Sequence, residues 1–113
     1  MTDTLAMGIL VSALLKRVND AGGMAMVRAK GDADSGGILL ILQDRNTPTR
    51  FVERALGPTG KPALIASGPV DVANSAECDD YWRRRRARDP DLWVIELDIA
   101  SAERFAAETI LGD

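Results

Sequence analysis

The chain predicts an α+β domain, an antiparallel meander of about five strands with three helices in the order α-β-β-β-β-α-β-α. Three observations carry that expectation. Apolar residues near the N-terminus recur at helical spacing. Four short apolar or alternating runs then follow one another across breaks rich in Gly, Pro and Asp. Finally, an arginine-rich segment stops at Asp89-Pro90 and gives way to Leu92-Trp93-Val94-Ile95.

Residues 4–21 read as the first helix, because Met7, Leu10, Val11, Leu14, Leu15 and Val18 share one face. Asp3 or Thr4 is placed to cap its start, and Gly22-Gly23 to end it. Met24 to Lys30 reads as a strand, with Ala25, Val27 and Ala29 on one face and Met24, Met26, Arg28 and Lys30 on the other. Gly31-Asp32-Ala33-Asp34-Ser35-Gly36-Gly37 is expected to be a hairpin turn. Ile38 to Leu42 is apolar without alternation, which predicts a strand buried on both faces. After the turn at Asp44-Arg45-Asn46-Thr47-Pro48, Arg50 to Leu56 alternates as a third strand. Pro62 to Ser67 is a weaker fourth one, set between Gly57-Pro58-Thr59-Gly60 and Gly68-Pro69.

Asn74 or Ser75 is expected to cap a second helix running to about Ala87. Asp89-Pro90 ends it, since a residue before proline avoids helical backbone. Leu92 to Asp98 is the fifth strand, with Trp93, Ile95 and Leu97 on one face and the Trp93 indole N–H in need of an acceptor. Ser101 is expected to cap a last short helix holding Phe105, Ala106, Ile110 and Leu111. Consecutive strands joined by short turns argue for the meander. Three modest helices leave both faces of Ile38–Leu42 hard to cover, so a second subunit, and thus a homodimer, is expected.

Composition bounds the possible functions. The 113 residues fit a single domain, residues 1–113. A hydrophobic share of 46% is enough for a core, and two Trp, two Phe and one Tyr mean that aliphatic residues must fill most of it. A net charge of −3 makes nucleic acid an unfavourable partner. The single cysteine, Cys78, rules out an internal disulfide, a CxxC redox pair and a four-cysteine zinc site, and it suits a cytoplasmic location. The apolar run from Leu5 to Leu15 is about half the length of a membrane span. No basic segment precedes it, so neither a span nor a secretory signal is read. With no histidine in the chain, a Ser-His-Asp triad, a histidine base and a histidine-rich zinc site are all excluded.

The remaining motifs point weakly to chemistry. Asp32-x-Asp34 has the spacing of a calcium loop, but the position for its closing carboxylate is Gln43, in an apolar strand. Pro90-Asp91 followed by Glu96 echoes a metal nuclease, yet Asp98 stands where a lysine is required. Cys78 lies beside Asp79 and Asp80, which disfavour a thiolate. No cofactor, metal ligand or catalytic residue is therefore assigned, and whether the chain catalyses anything stays open.

The arginine run is the main candidate for a contact surface. From Glu77 to Asp91, five arginines (Arg83, Arg84, Arg85, Arg86 and Arg88) are balanced by five carboxylates. At about 100° per residue the arginines spread around the helix and do not form a stripe. Asp79 with Arg83, and Asp80 with Arg84, have the spacing of helix-stabilising pairs. Arg83, Arg84, Arg86 and Arg88, with Trp82, are the candidate contacts for an anion or a partner protein.

Three segments together resemble a family of short bacterial proteins known as domain of unknown function 1491. They are Val11-Ser12-Ala13-Leu14-Leu15-Lys16-Arg17, Gly31-Asp32 with Gly36, and Asp89-Pro90-Asp91-Leu92-Trp93-Val94-Ile95-Glu96. The last is the most distinctive. In the first, Leu10 stands where the family tends to carry an aromatic residue, and Lys16 replaces an arginine. The resemblance spans about Leu10 to Phe105 and implies no reaction, cofactor or site residue. The expected function is that of a non-enzymatic domain that self-associates or binds a protein. The alternatives are an anion- or small-molecule-binding domain using residues 83–88 and, ranked last, a metal enzyme using Asp32, Asp34 or Glu53.

Overall fold

The computed structural model describes residues 6–45, 47–70, 72 and 74–112. The elements, in chain order, are α1 (Met7–Asp20), β1 (Met24–Ala29), β2 (Ile38–Gln43), β3 (Arg50–Leu56), β4 (Pro62–Ser67), α2 (Ser75–Arg88), β5 (Trp93–Asp98) and α3 (Ala102–Ala106). A π-helical turn, Ala107–Leu111, continues α3, so the chain order carries one segment more than expected. The α+β class holds, with three helices and a five-stranded open sheet.

The sheet is not a meander. Its strands lie in the order β1-β5-β2-β3-β4. β5 enters between β1 and β2 and runs parallel to β2, with Ile38 opposite Trp93 and Leu42 opposite Leu97. The other pairings are antiparallel. Burial explains the difference. β5 carries an apolar run comparable to that of β2, and at an edge it would leave one row of backbone groups unpaired and its faces less fully covered. Placed between β1 and β2, Val94, Ile95 and Leu97 are fully buried, while the less apolar β1 takes the edge.

The segment 31–37 is therefore a crossing loop and not a hairpin turn. It passes over the start of β5 and wraps the Asp91 carbonyl, to which Asp32 N–H donates at 3.0 Å. A Cβ on either Gly31 or Gly36 would lie 2.2 Å from that oxygen, so both positions require glycine. Trp93 fixes the loop from the other side, its indole N–H donating to the Asp32 carbonyl at 2.8 Å. Gly8 N–H donates to the Ala33 carbonyl and ties in α1. All three segments that carry the family resemblance belong to elements that meet at this loop.

The two faces of the sheet hold separate cores. Ile38, Leu40 and Leu42 pack with Trp93, Ile95 and Leu97 beneath α1, α3 and the π-helical turn. Leu39 and Ile41 pack with Phe51 and Val94 beneath α2. β2 is thus buried on both faces, as expected, but the chain's own helices cover it, and the argument for a second subunit from an uncovered β2 falls away. Arg17 clamps the C-terminal segment to α1 by donating to Glu108 at 2.8 Å and Thr109 at 2.7 Å.

Three local expectations change. Ala6 is the N-cap residue of α1 and makes no side-chain cap bond, whereas Asp3 and Thr4 lie outside the described residues. Ser101 is the N-cap residue of α3, but it adopts left-handed backbone, with φ of 59°, and its hydroxyl caps nothing. A bulge between Val27 and Ala29 in β1 turns Ala29 to the α2 side, where it packs on the second core. Among the described residues no helix is long and apolar enough to cross a membrane.

Candidate functional site: the face of α2

Asn74 caps α2, its side-chain oxygen accepting from Glu77 N–H at 2.9 Å. Cys78, Tyr81, Trp82 and Arg85 follow at helical spacing and form the inner stripe. Tyr81 stacks at a tilt on Phe51, with ring centroids 4.6 Å apart, and its hydroxyl lies 2.8 Å from Ser67 Oγ. Arg85 grips Glu53 of β3 with both ends of its fork, at 2.7 and 3.1 Å, and also donates to the Tyr81 hydroxyl at 2.9 Å. The guanidinium holds the Glu53 carboxyl below the usual carboxylate range, helped by the Ser67 hydroxyl and opposed by burial. Glu53 in turn raises the Arg85 pKa. Both shifts reflect one charge-assisted bidentate pair.

The predicted contact residues separate into two groups. Arg86 turns inward and donates to the Lys30 carbonyl just past β1, at 2.8 Å. Trp82 is half-buried, its indole N–H donating to Asp79 at 3.1 Å. The other three lie on the outer side. Arg83 stacks over the Trp82 ring at 5.3 Å. Arg84 donates to its own helix at the Asp80 carbonyl, at 3.3 Å. Among the described residues, Arg83, Arg84 and Arg88 form no ion pair. The expected pairs of Asp79 with Arg83 and Asp80 with Arg84 are absent: the indole occupies Asp79, and Arg83 turns to the ring. Beside them an open depression is lined by Asp80, Arg83, Arg84 and Ala87.

Arg85, which was not among the candidate contacts, is the residue that anchors the helix to the sheet. Its signal lay in the spacing from Cys78 and Tyr81, which places it on the inner stripe and not the outer one.

At the other end of α2 lies a cleft of about 280 Å³, lined by Arg28, Gln43, Asn74, Cys78, Asp79 and Glu96 among others. Arg28, Glu96, Gln43 and Thr49 in its lining bind one another. Arg28 meets Glu96 at 2.7 Å, and Thr49 donates to Gln43 at 2.6 Å. Cys78 is buried, and that burial, with Glu96 and Asp79 nearby, pushes its thiol up to about 11. So shifted, the thiol stays protonated at ordinary pH, which disfavours a nucleophilic role. Asp32 accepts bonds from Ser35 and Asp34 within its own loop, which lowers its pKa, while Glu53 is held by Arg85. Among the described residues no three carboxylate or thiol groups converge as metal ligands.

Fold and surface together define a small α+β domain with a mixed five-stranded sheet and one arginine-rich helix across a sheet face. The chain belongs to the DUF1491 family of proteins of unknown function, which it matches over residues 5–107. It is similar to a DUF1491 family protein from Caulobacter crescentus in crystal form, with 29% identity, a TM-score of 0.77, and 89% of this chain and 94% of that one covered. An NMR structure of a DUF1491 family protein from the same organism shows 30% identity and a TM-score of 0.74 over 92% of this chain and 94% of that one. The solution structure of protein Atu0922 from A. tumefaciens, a structural-genomics target, shows 25% identity and a TM-score of 0.69, covering 96% and 92%. No curated protein matches the chain.

Proposed function

We propose that this domain acts by binding a protein partner and not by catalysis, and that the outer side of α2 is the docking face for an acidic segment. One observation carries the reading: Arg83, Arg84 and Arg88 project from a helix anchored beneath by Arg85 and Tyr81, and none has an ion pair among the described residues. Trp82 lies beside them, and Trp and Arg are the residue types that most often anchor protein interfaces. A rigid helix also lowers the ordering cost of binding. A small-anion pocket is the weaker alternative, because Asp80 shares the depression with Arg83 and Arg84 while Arg86 faces the Lys30 carbonyl.

The test is fluorescence anisotropy with a labelled Asp/Glu-rich peptide, comparing the native chain with the triple variant Arg83→Glu, Arg84→Glu, Arg88→Glu. Binding by the native chain that weakens with salt and is lost in the variant is expected. Equal binding by both proteins, or none by the native chain, would sink the proposal. Affinity capture from cells with the same two proteins would then identify the partner.

A further inference from the structure

The two edges of the sheet are protected very differently. β1 is bulged after Val27, its Arg28 is tied to Glu96, and Lys30 follows with its carbonyl taken by Arg86. Bulges and basic residues are the usual devices that stop an edge from pairing with another chain. β4, Pro62-Ala63-Leu64-Ile65-Ala66-Ser67, has no bulge and no charge. Ile65 is 37% exposed, and Val70 just beyond the strand is 76% exposed.

The hairpin hydrogen bonds show which backbone groups of β4 face outward. Gly57 N–H donates to the Lys61 carbonyl at 2.7 Å, so these two residues form a hydrogen-bonded pair. Alternation along an antiparallel ladder then makes Ala55–Ala63 and Glu53–Ile65 hydrogen-bonded pairs as well. Leu64 and Ala66 must therefore direct their N–H and C=O groups away from β3, to the open edge. Pro62 points the same way but has no N–H to offer.

We infer that β4 is a self-association edge, pairing antiparallel with β4 of a second copy about a two-fold axis at Ile65. This goes beyond the α2 reading and uses a different surface. In that register Leu64 faces Ala66 of the second copy, and every outward N–H and C=O of these two residues gains a partner. A register centred on Leu64 would instead set Pro62 against the Ala66 carbonyl and leave it without a donor. The two-fold also keeps each face on its own side. Ile65 meets its symmetry mate in a closely spaced pair on the α2 face, and Leu64 meets Ala66 on the α1 face. No charge is placed against a like charge. One strand pair buries less surface than a standard interface, so a reversible dimer dissociating at micromolar concentration is expected.

Sedimentation of the intact chain across a micromolar concentration series tests this inference. The 12.2 kDa chain should pass from monomer to dimer as concentration rises. Ala66→Pro removes an outward N–H without touching the β3 ladder, and Ile65→Lys sets like charges against each other at the axis. Each should remain monomeric with an unchanged far-UV spectrum, while Val27→Lys on β1 should dimerise like the native chain. A native chain that stays monomeric at high micromolar concentration would overturn the inference. So would dimers that survive both β4 changes, or dimers lost on the β1 change alone. The Ile65→Lys result stands even if proline disturbs folding.

Discussion

Glu53 and Arg85 show how much one side-chain pair contributes when it joins a helix to a sheet. Each side chain is about a quarter exposed, with a relative accessibility of 27%, yet four hydrogen bonds converge on the Arg85 fork. In the unfolded chain Glu53 takes up its proton near its ordinary value of 4.5, and in the folded chain only at lower pH. The pair therefore stabilises the fold fully above that value, and its contribution fades as pH falls below 4.5 through the native value. Glu53→Gln should lower stability at neutral pH by about 2 kcal/mol and flatten the decline on the acid side. Urea titrations of both proteins between neutral pH and the acid range check this, and parallel acid slopes would contradict it. At this scale the sequence was partly legible. The need of the Trp93 indole for an acceptor and the burial of Cys78 could be read from residue type. The partner of Arg85 could not, because it depends on β3 passing under α2.

At the scale of elements, periodicity located all three helices and all five strands with small shifts at their ends, because it reports a local choice between two repeat lengths. It could not report which strands become neighbours. Two signs of the true arrangement were nonetheless present. Leu92–Leu97 is as suited to a central strand as Ile38–Leu42, and the segment 30–37 is longer than the hairpin loops of about 2–5 residues that join adjacent strands. The crossing loop depends on the fit of Gly31 and Gly36 against the Asp91 carbonyl. Gly36→Ala should therefore displace the loop and destabilise the protein by about 3 kcal/mol, with loss of the near-ultraviolet signal of Trp93. Thermal melts and near-ultraviolet dichroism measure both. An unchanged melting temperature would mean that the loop yields without resisting.

For the whole molecule, the insertion of β5 between β1 and β2 sets an order of assembly. The β2-β3-β4 ladder consists of neighbours in sequence and closes through short loops, so it is free to form early. Among the described residues, β1 pairs in the sheet with β5 alone. Pulse-labelled hydrogen exchange during refolding should find β1 amides protected no earlier than those of β5, and later than those of β2 and β3. Protection of β1 ahead of β5 would contradict this order. During synthesis the consequence is a delay. At about 5–20 residues per second, several seconds separate the emergence of β1 from that of β5. Through that interval α1 and β1 have no completed sheet to rest on, and the apolar face of α1 is open to whatever the ribosome's surroundings offer. A strand made about sixty residues later thus decides when α1 and β1 become native.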